Sequence, residues 1–155
     1  MLVPFSLDAL PVSVWKNGAG ETREIVRITD GGAEEAFLWR ASVATLQKDG
    51  PFSRFDGIDR IIVLLEGRPL WLRGEEVAHY LEPGIPWAFP GEWPLESEGI
   101  TGKGMDFNIM TRRSGAGARV VIADSSCRPG EEGIAYVLKG EWQMAGSIYS
   151  PGSGI

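Results

Sequence analysis

The sequence predicts an all-β protein, and three observations carry that expectation. Its 21 glycines and 10 prolines, a fifth of the 155 residues, are spread along the chain rather than clustered. Such spacing interrupts long helices and suits short strands joined by tight turns. No window of useful length keeps the helical apolar period, and Glu34-Glu35-Ala36 is too short for more than a turn. Several runs instead alternate apolar and polar residues in the two-residue period of a strand.

Taken in order, the first strands are Ser13–Trp15 and Thr22–Ile28, separated by the Gly18-Ala19-Gly20 break. Phe37–Thr45 follows and ends before Asp49-Gly50-Pro51. Arg60–Glu66 places Arg60, Ile62, Leu64 and Glu66 on one face and Ile61, Val63 and Leu65 on the other. A run apolar on both faces is expected between two sheets. Shorter runs between Gly and Pro breaks are Pro69–Leu72, Glu75–Tyr80, Trp87–Phe89 and Pro94–Ser97. Met105–Thr111, Ala118–Ile122, Gly133–Lys139 and Glu141–Met144 complete the set.

An internal echo narrows the class. Val63-Leu64-Leu65-Glu66-Gly67 is matched 73 residues later by Tyr136-Val137-Leu138-Lys139-Gly140. Each copy leads into a short run with a tryptophan, Trp71 or Trp142, and then to a Pro-Gly pair, Pro83-Gly84 or Pro151-Gly152. Strand, glycine turn, strand and Pro-Gly turn is the order of a double-stranded β-helix, the cupin-like architecture.

Composition sets outer bounds. With 43% hydrophobic and 23% charged residues the chain has the balance of a folded globular protein. A net charge of −6 with no basic stretch argues against nucleic acid as a partner. The single cysteine, Cys127, excludes an intrachain disulfide framework and fits a reducing compartment. The start, Met1-Leu2-Val3-Pro4-Phe5, has neither a basic leader nor a long apolar run, so no membrane partner and a cytoplasmic location are expected.

Two strands each carry one arginine among apolar residues, Arg40 in Trp39-Arg40-Ala41-Ser42-Val43-Ala44 and Arg60 in Asp59-Arg60-Ile61-Ile62-Val63. Desolvating an unpaired guanidinium costs several kcal/mol, so two arginines facing one interior create a place for a carboxylate. The alternative is that both face solvent or pair with Asp56 and Asp59. Ser42 shares a strand face with Arg40, so a guanidinium fork and a hydroxyl can meet one carboxylate there. Phe52 and Phe107 offer flat apolar walls for a planar ring. Asn108 alternates with Phe107, and of the two Asn108 is the chosen pocket residue.

Catalytic machinery is scarce. A cupin-type metal centre needs several histidines and a carboxylate, and this chain has only His79, with Cys127 adding one ligand at most. No metal and no other cofactor are therefore expected, and no catalytic residue is assigned. An enzyme acting on a small carboxylate, an isomerase or hydrolase with Glu66 or His79 as base, stands as the alternative to a binding protein.

Five ordered motifs resemble one family. Trp15-Lys16-Asn17-Gly18-Ala19-Gly20-Glu21-Thr22-Arg23-Glu24-Ile25 looks like the W-K-N-G-G-G-x-T-x-E-I signature of the HutD/Ves family, with Ala19 at the usual middle glycine. Trp39–Ala44, Asp49–Ser53 and Gly57–Arg60 follow in the family's order, and Met105–Arg113 resembles its D-x-N-x-M-x-R-R block. The resemblance implies a metal-free bicupin, two small barrels with the second shortened. It forms one domain over residues 1–155, with approximate halves 1–113 and 114–155 exchanging strands. It also implies a bacterial protein that moderates histidine utilisation by binding an intermediate such as urocanate or N-formylglutamate. Within the signature Lys16 and Asn17 become candidate ligands, completing the set Lys16, Asn17, Arg40, Ser42, Phe52, Arg60 and Asn108. An open edge on the shortened barrel makes a homodimer possible.

Overall fold

A computed structural model describes residues 1–31 and 36–155, so Glu34 and Glu35 of the expected turn lie outside the described residues. The chain divides into two compact units, Val12–Ile122 and Met1–Pro11 with Ala123–Ile155.

The larger unit contains β2 (Val12–Val14), β3 (Gly20–Ile28), β4 (Trp39–Leu46), β5 (Ile58–Glu66), β6 (Leu70–Arg73), β7 (Ala78–Leu81), β8 (Trp87–Pro90), β9 (Glu96–Glu98) and β10 (Gly104–Arg112). Six strands form one antiparallel sheet in the order β2-β3-β4-β10-β5-β8, and three form a second in the order β7-β6-β9. The inner side chains make a core of Leu46, Phe52, Ile62, Leu64, Leu70, Leu72, Leu81, Phe89 and Leu95. Ile62, Leu64 and Leu72 are wholly inaccessible, so the middle of β5 lies under cover as its apolar pattern requires. The fold is all-β and of the cupin type, with one short 3-10 turn, Leu7–Ala9, among the described residues.

Sequence detail explains the local geometry. At the first hairpin Gly18 adopts a left-handed φ of 67°. Gly20 has a different constraint: a Cβ there would sit 2.4 Å from the Thr45 carbonyl oxygen. Trp15 seals the turn, its indole donating to Thr22 Oγ1 at 2.8 Å and its ring edge meeting Phe52. On β6, Leu70 and Leu72 turn inward while Arg73 lies over the Trp71 ring and pairs with Glu98.

In the smaller unit β1 (Phe5–Ser6) pairs with β13 (Ser153–Gly154), and β11 (Trp142–Met144) pairs with β12 (Ser147–Tyr149). Two expected strands differ from the prediction. Gly133–Lys139 contributes one bridge, Tyr136 to Gly154, flanked by reciprocal Ala135–Ile155 hydrogen bonds of 3.0 Å. Ala118–Ile122 joins no ladder among the described residues, and its Val121 and Ile122 are exposed. Apolar alternation favours a strand only where a neighbour supplies the ladder and the cover. The short β1, β12 and β13 lie in Ser-, Gly- and Pro-rich segments where no alternating run is long enough to announce them.

Candidate functional site

Strand register builds the site. β10 lies between β4 and β5, so Asn108 stands opposite Ser42 on one side and Ile62 on the other. Two residues along, Met110 stands between Arg40 and Arg60, and Arg60 faces Phe89 of β8. Directly opposed residues share a sheet face. The inner face therefore carries Arg40, Ser42, Arg60, Asp106 and Asn108 together, and Glu24 of β3 stands opposite Ser42.

Both arginines belong to this face, and each has partners within the chain. Arg40 Nε donates to Glu24 Oε1 at 2.6 Å, and the same oxygen accepts from Arg27 Nε at 3.0 Å. Neither Asp56 nor Asp59 supplies those bonds; Asp59 accepts from Arg113 instead.

Arg60 is the deeper of the two and only 6% exposed. Its Nη2 donates to Asn108 Oδ1 at 2.9 Å and its Nη1 to the Ser53 carbonyl at 3.2 Å. The guanidinium carbon lies 5.8 Å from the Phe52 ring centre, 5.5 Å from Phe55 and 5.0 Å from Phe89. Three ring faces attract the cation while excluding water from it. Arg60 Nε is buried with no hydrogen-bond partner. Burial draws this guanidinium down to about 10, so it stays charged at neutral pH.

Asn108 extends the chain of bonds, its Nδ2 donating to Asp106 Oδ1. Asp106 is 1% exposed between Ala44 and Leu64. Burial pushes its carboxyl up to about 7, against the opposing pull of Arg60 and of the Asn108 amide.

Among the predicted residues, Arg60, Asn108 and Phe52 are brought into one cluster, with Ser42 and Arg40 on the same inner face. Lys16 is exposed, and Asn17 Oδ1 accepts locally from the Ala19 amide at 2.9 Å within the hairpin turn. Phe107 faces the opposite side from Asn108, as alternation required. Glu66 is exposed at the end of β5, while His79 stacks on Trp87 with ring centres 4.2 Å apart. Asp106, Glu24, Phe55 and Phe89 were not assigned to the site from sequence. The two-residue spacing of Asp106 and Asn108 is a signal that places Asp106 there.

Two open clefts border the phenylalanine cage. One, of about 760 Å³, is lined by Phe37, Phe55, Ile58 and Arg112 among others. The second, of about 450 Å³, is lined by Phe52, Arg73 and Leu95 among others. Arg60 lines neither, while Phe55 lines the first, Phe52 lines the second, and both rings flank its guanidinium. Among the described residues no group of three or more His, Cys, Asp or Glu is placed to hold a metal ion, and no helix is long and apolar enough to cross a membrane.

The family model for HutD matches residues 8–150. The chain belongs to the HutD family. Over 154 residues this HutD-family chain is 39% identical to Protein Ves of Cronobacter sakazakii, covering 97% of the chain and 83% of that protein. It is 38% identical to Protein Ves of Escherichia fergusonii over a similar span. Among solved structures, HutD from Pseudomonas fluorescens SBW25 superimposes with a TM-score of 0.83 at 27% identity, covering 98% of this chain and 84% of that one.

Proposed function

We propose that this HutD-family protein is a non-catalytic receptor for a small carboxylate, held by Arg60 on the inner face of the larger sheet. The observation that carries the proposal is the unpartnered Nε of a buried, charged guanidinium. A buried donor without an acceptor costs about 1–3 kcal/mol, and a carboxylate oxygen removes that cost with a charge-assisted bond. Arg60 is only 6% exposed, so entry goes past Phe55 or Phe52, the rings that both flank it and line the clefts.

Urocanate and N-formylglutamate are the candidate ligands, with moderation of histidine utilisation as the role and the cytoplasm as the location. The Pseudomonas fluorescens HutD structure was obtained in a formate condition, and formate is the smallest member of this ligand class.

The test is the melting temperature against formate, urocanate, N-formylglutamate, glutamate and histidine. A ligand at one hundred times its Kd stabilises the folded state by about 2.7 kcal/mol, which raises Tm by roughly 5–11 °C for a chain of this length. Arg60→Met keeps an unbranched apolar stem under the phenyl rings and removes the charge, so the shift disappears. An unchanged shift in Arg60→Met rejects Arg60 as the anchor.

A further inference from the structure

Resting on the carboxylate reading above, we infer that the ligand carries two acidic groups, the second held by Arg112 in the cleft of about 760 Å³ beside Phe55. The first support is a charge count. Around Arg60 the inner face also carries Arg27, Arg40 and Arg112, against Glu24 and Asp106 among the described residues. Arg27 stands opposite Arg40, and both donate to the same Glu24 oxygen. Four arginines thus meet two carboxylates here, in a chain whose net charge is −6. A concentration of one sign against low-dielectric walls draws the opposite sign, and one carboxylate offsets only half of this excess.

The second support is geometric. Arg112 stands opposite Ile58, one diagonal step from Arg60, which stands opposite Met110. Diagonal neighbours in an antiparallel pair lie about 7–8 Å apart, within reach of long side chains. Arg112 Nε and Nη2 both donate to the Phe37 carbonyl, at 3.1 and 2.9 Å. Those bonds fix the guanidinium plane in the cleft lining and leave Nη1 without a partner among the described residues. Phe55 lines the same cleft and lies 5.5 Å from the Arg60 guanidinium carbon. A ligand that reaches Arg60 past Phe55 therefore leaves its other end in the cleft that Arg112 lines.

The remaining charges favour this route over the one past Phe52. Arg113 is already matched, by Glu92 at 2.9 and 3.0 Å and by Asp59 at 2.8 Å. Arg54 commits only its Nε, to the Glu92 carbonyl, and Asp56 is the one acidic residue among the described lining residues. In the cleft beside Phe52, Glu75 and Glu96 stand against Arg54 and Arg73. An anion is drawn into the first cleft and gains little from the second.

The test is calorimetric titration of the whole chain with succinate, glutarate and adipate. Each is compared with the monocarboxylate of equal carbon number: butyrate, pentanoate and hexanoate. At least one dicarboxylate is expected to bind about tenfold tighter than its match, the return on one further charge-assisted bond. Arg112→Gln is expected to bring that ratio close to one. In the unaltered chain, the Arg112 side-chain NMR signals are expected to move with the dicarboxylate and stay in place with its match, a reading that needs no variant to fold. Monocarboxylates that bind as tightly as dicarboxylates overturn this inference and leave the carboxylate reading standing. A preference that survives Arg112→Gln, or arises with Arg112 signals unmoved, overturns the assignment to Arg112. No binding of these six acids or of formate overturns both readings.

Discussion

Replacing Asn108 with alanine tests whether one amide joins Arg60 to Asp106. The side chain accepts from Arg60 Nη2 at 2.9 Å and donates to Asp106, and both partners are buried. Asn108→Ala deletes two bonds to charged groups, each worth about 1.5–3 kcal/mol, and leaves Arg60 with only the Ser53 carbonyl. The expected loss is about 3–5 kcal/mol, a large part of the 5–15 kcal/mol typical of a domain. Urea unfolding followed by tryptophan fluorescence reads this as a lowered midpoint at constant m-value. Making the same change in an Asp106→Asn background costs at least about 1 kcal/mol less, because one of the two charges is already absent. A loss below about 1 kcal/mol, or strict additivity with Asp106→Asn, refutes the linkage.

Three further predictions concern other parts of the larger unit. The Asp106 carboxyl, at about 7 when folded against 3.8 ordinarily, favours the folded state when protonated. Its contribution is full below pH 4 and is lost as pH rises through 7, by up to about 4 kcal/mol; Asp106→Asn should remove that slope from urea midpoints between pH 4 and 8. The single histidine gives one resolved imidazole signal, and burial against Trp87 should place its NMR titration midpoint below 6.5; a midpoint at or above that value counts against the stack. Gly20→Ala should cost about 1–3 kcal/mol by urea unfolding, since its Cβ meets the Thr45 carbonyl at 2.4 Å; a change under about 0.5 kcal/mol shows that the hairpin yields.

Much of the larger sheet was legible because its strands are long and alternate. Arg60, Ile62 and Leu64 face one way in the sequence pattern and in the sheet, and Asn108 opposes Phe107 as spacing requires. Both arginines fall on one inner face for the same reason. Their partners were not legible. Glu24 meets Arg40 only through a register that includes an irregularity between Glu24 and Val26, which no local pattern reveals. Phe89 reaches Arg60 because β8 adds to the edge of β5, a pairing made across the excursion through the second sheet. The smaller unit shows the opposite weakness: Ala118–Ile122 has strand composition without a ladder, and Ser153–Gly154 has a ladder without strand composition.

The central place of β10 also has a consequence for the order of folding. The strands β2, β3 and β4 are joined by local pairings, and β5 receives β8 from the same stretch of chain. Neither group touches the other along the sheet until residues 104–112 slot between them, the last strand of this unit to leave the ribosome. Closing that gap spends loop entropy before any long-range contact returns it, so insertion of β10 is the natural slow step. Asn108 rides on the inserted strand and Arg60 waits on the other side of the gap. The Arg60–Asn108 bond therefore reports a finished sheet, and a chain stalled before β10 docks carries an arginine without its link to Asp106.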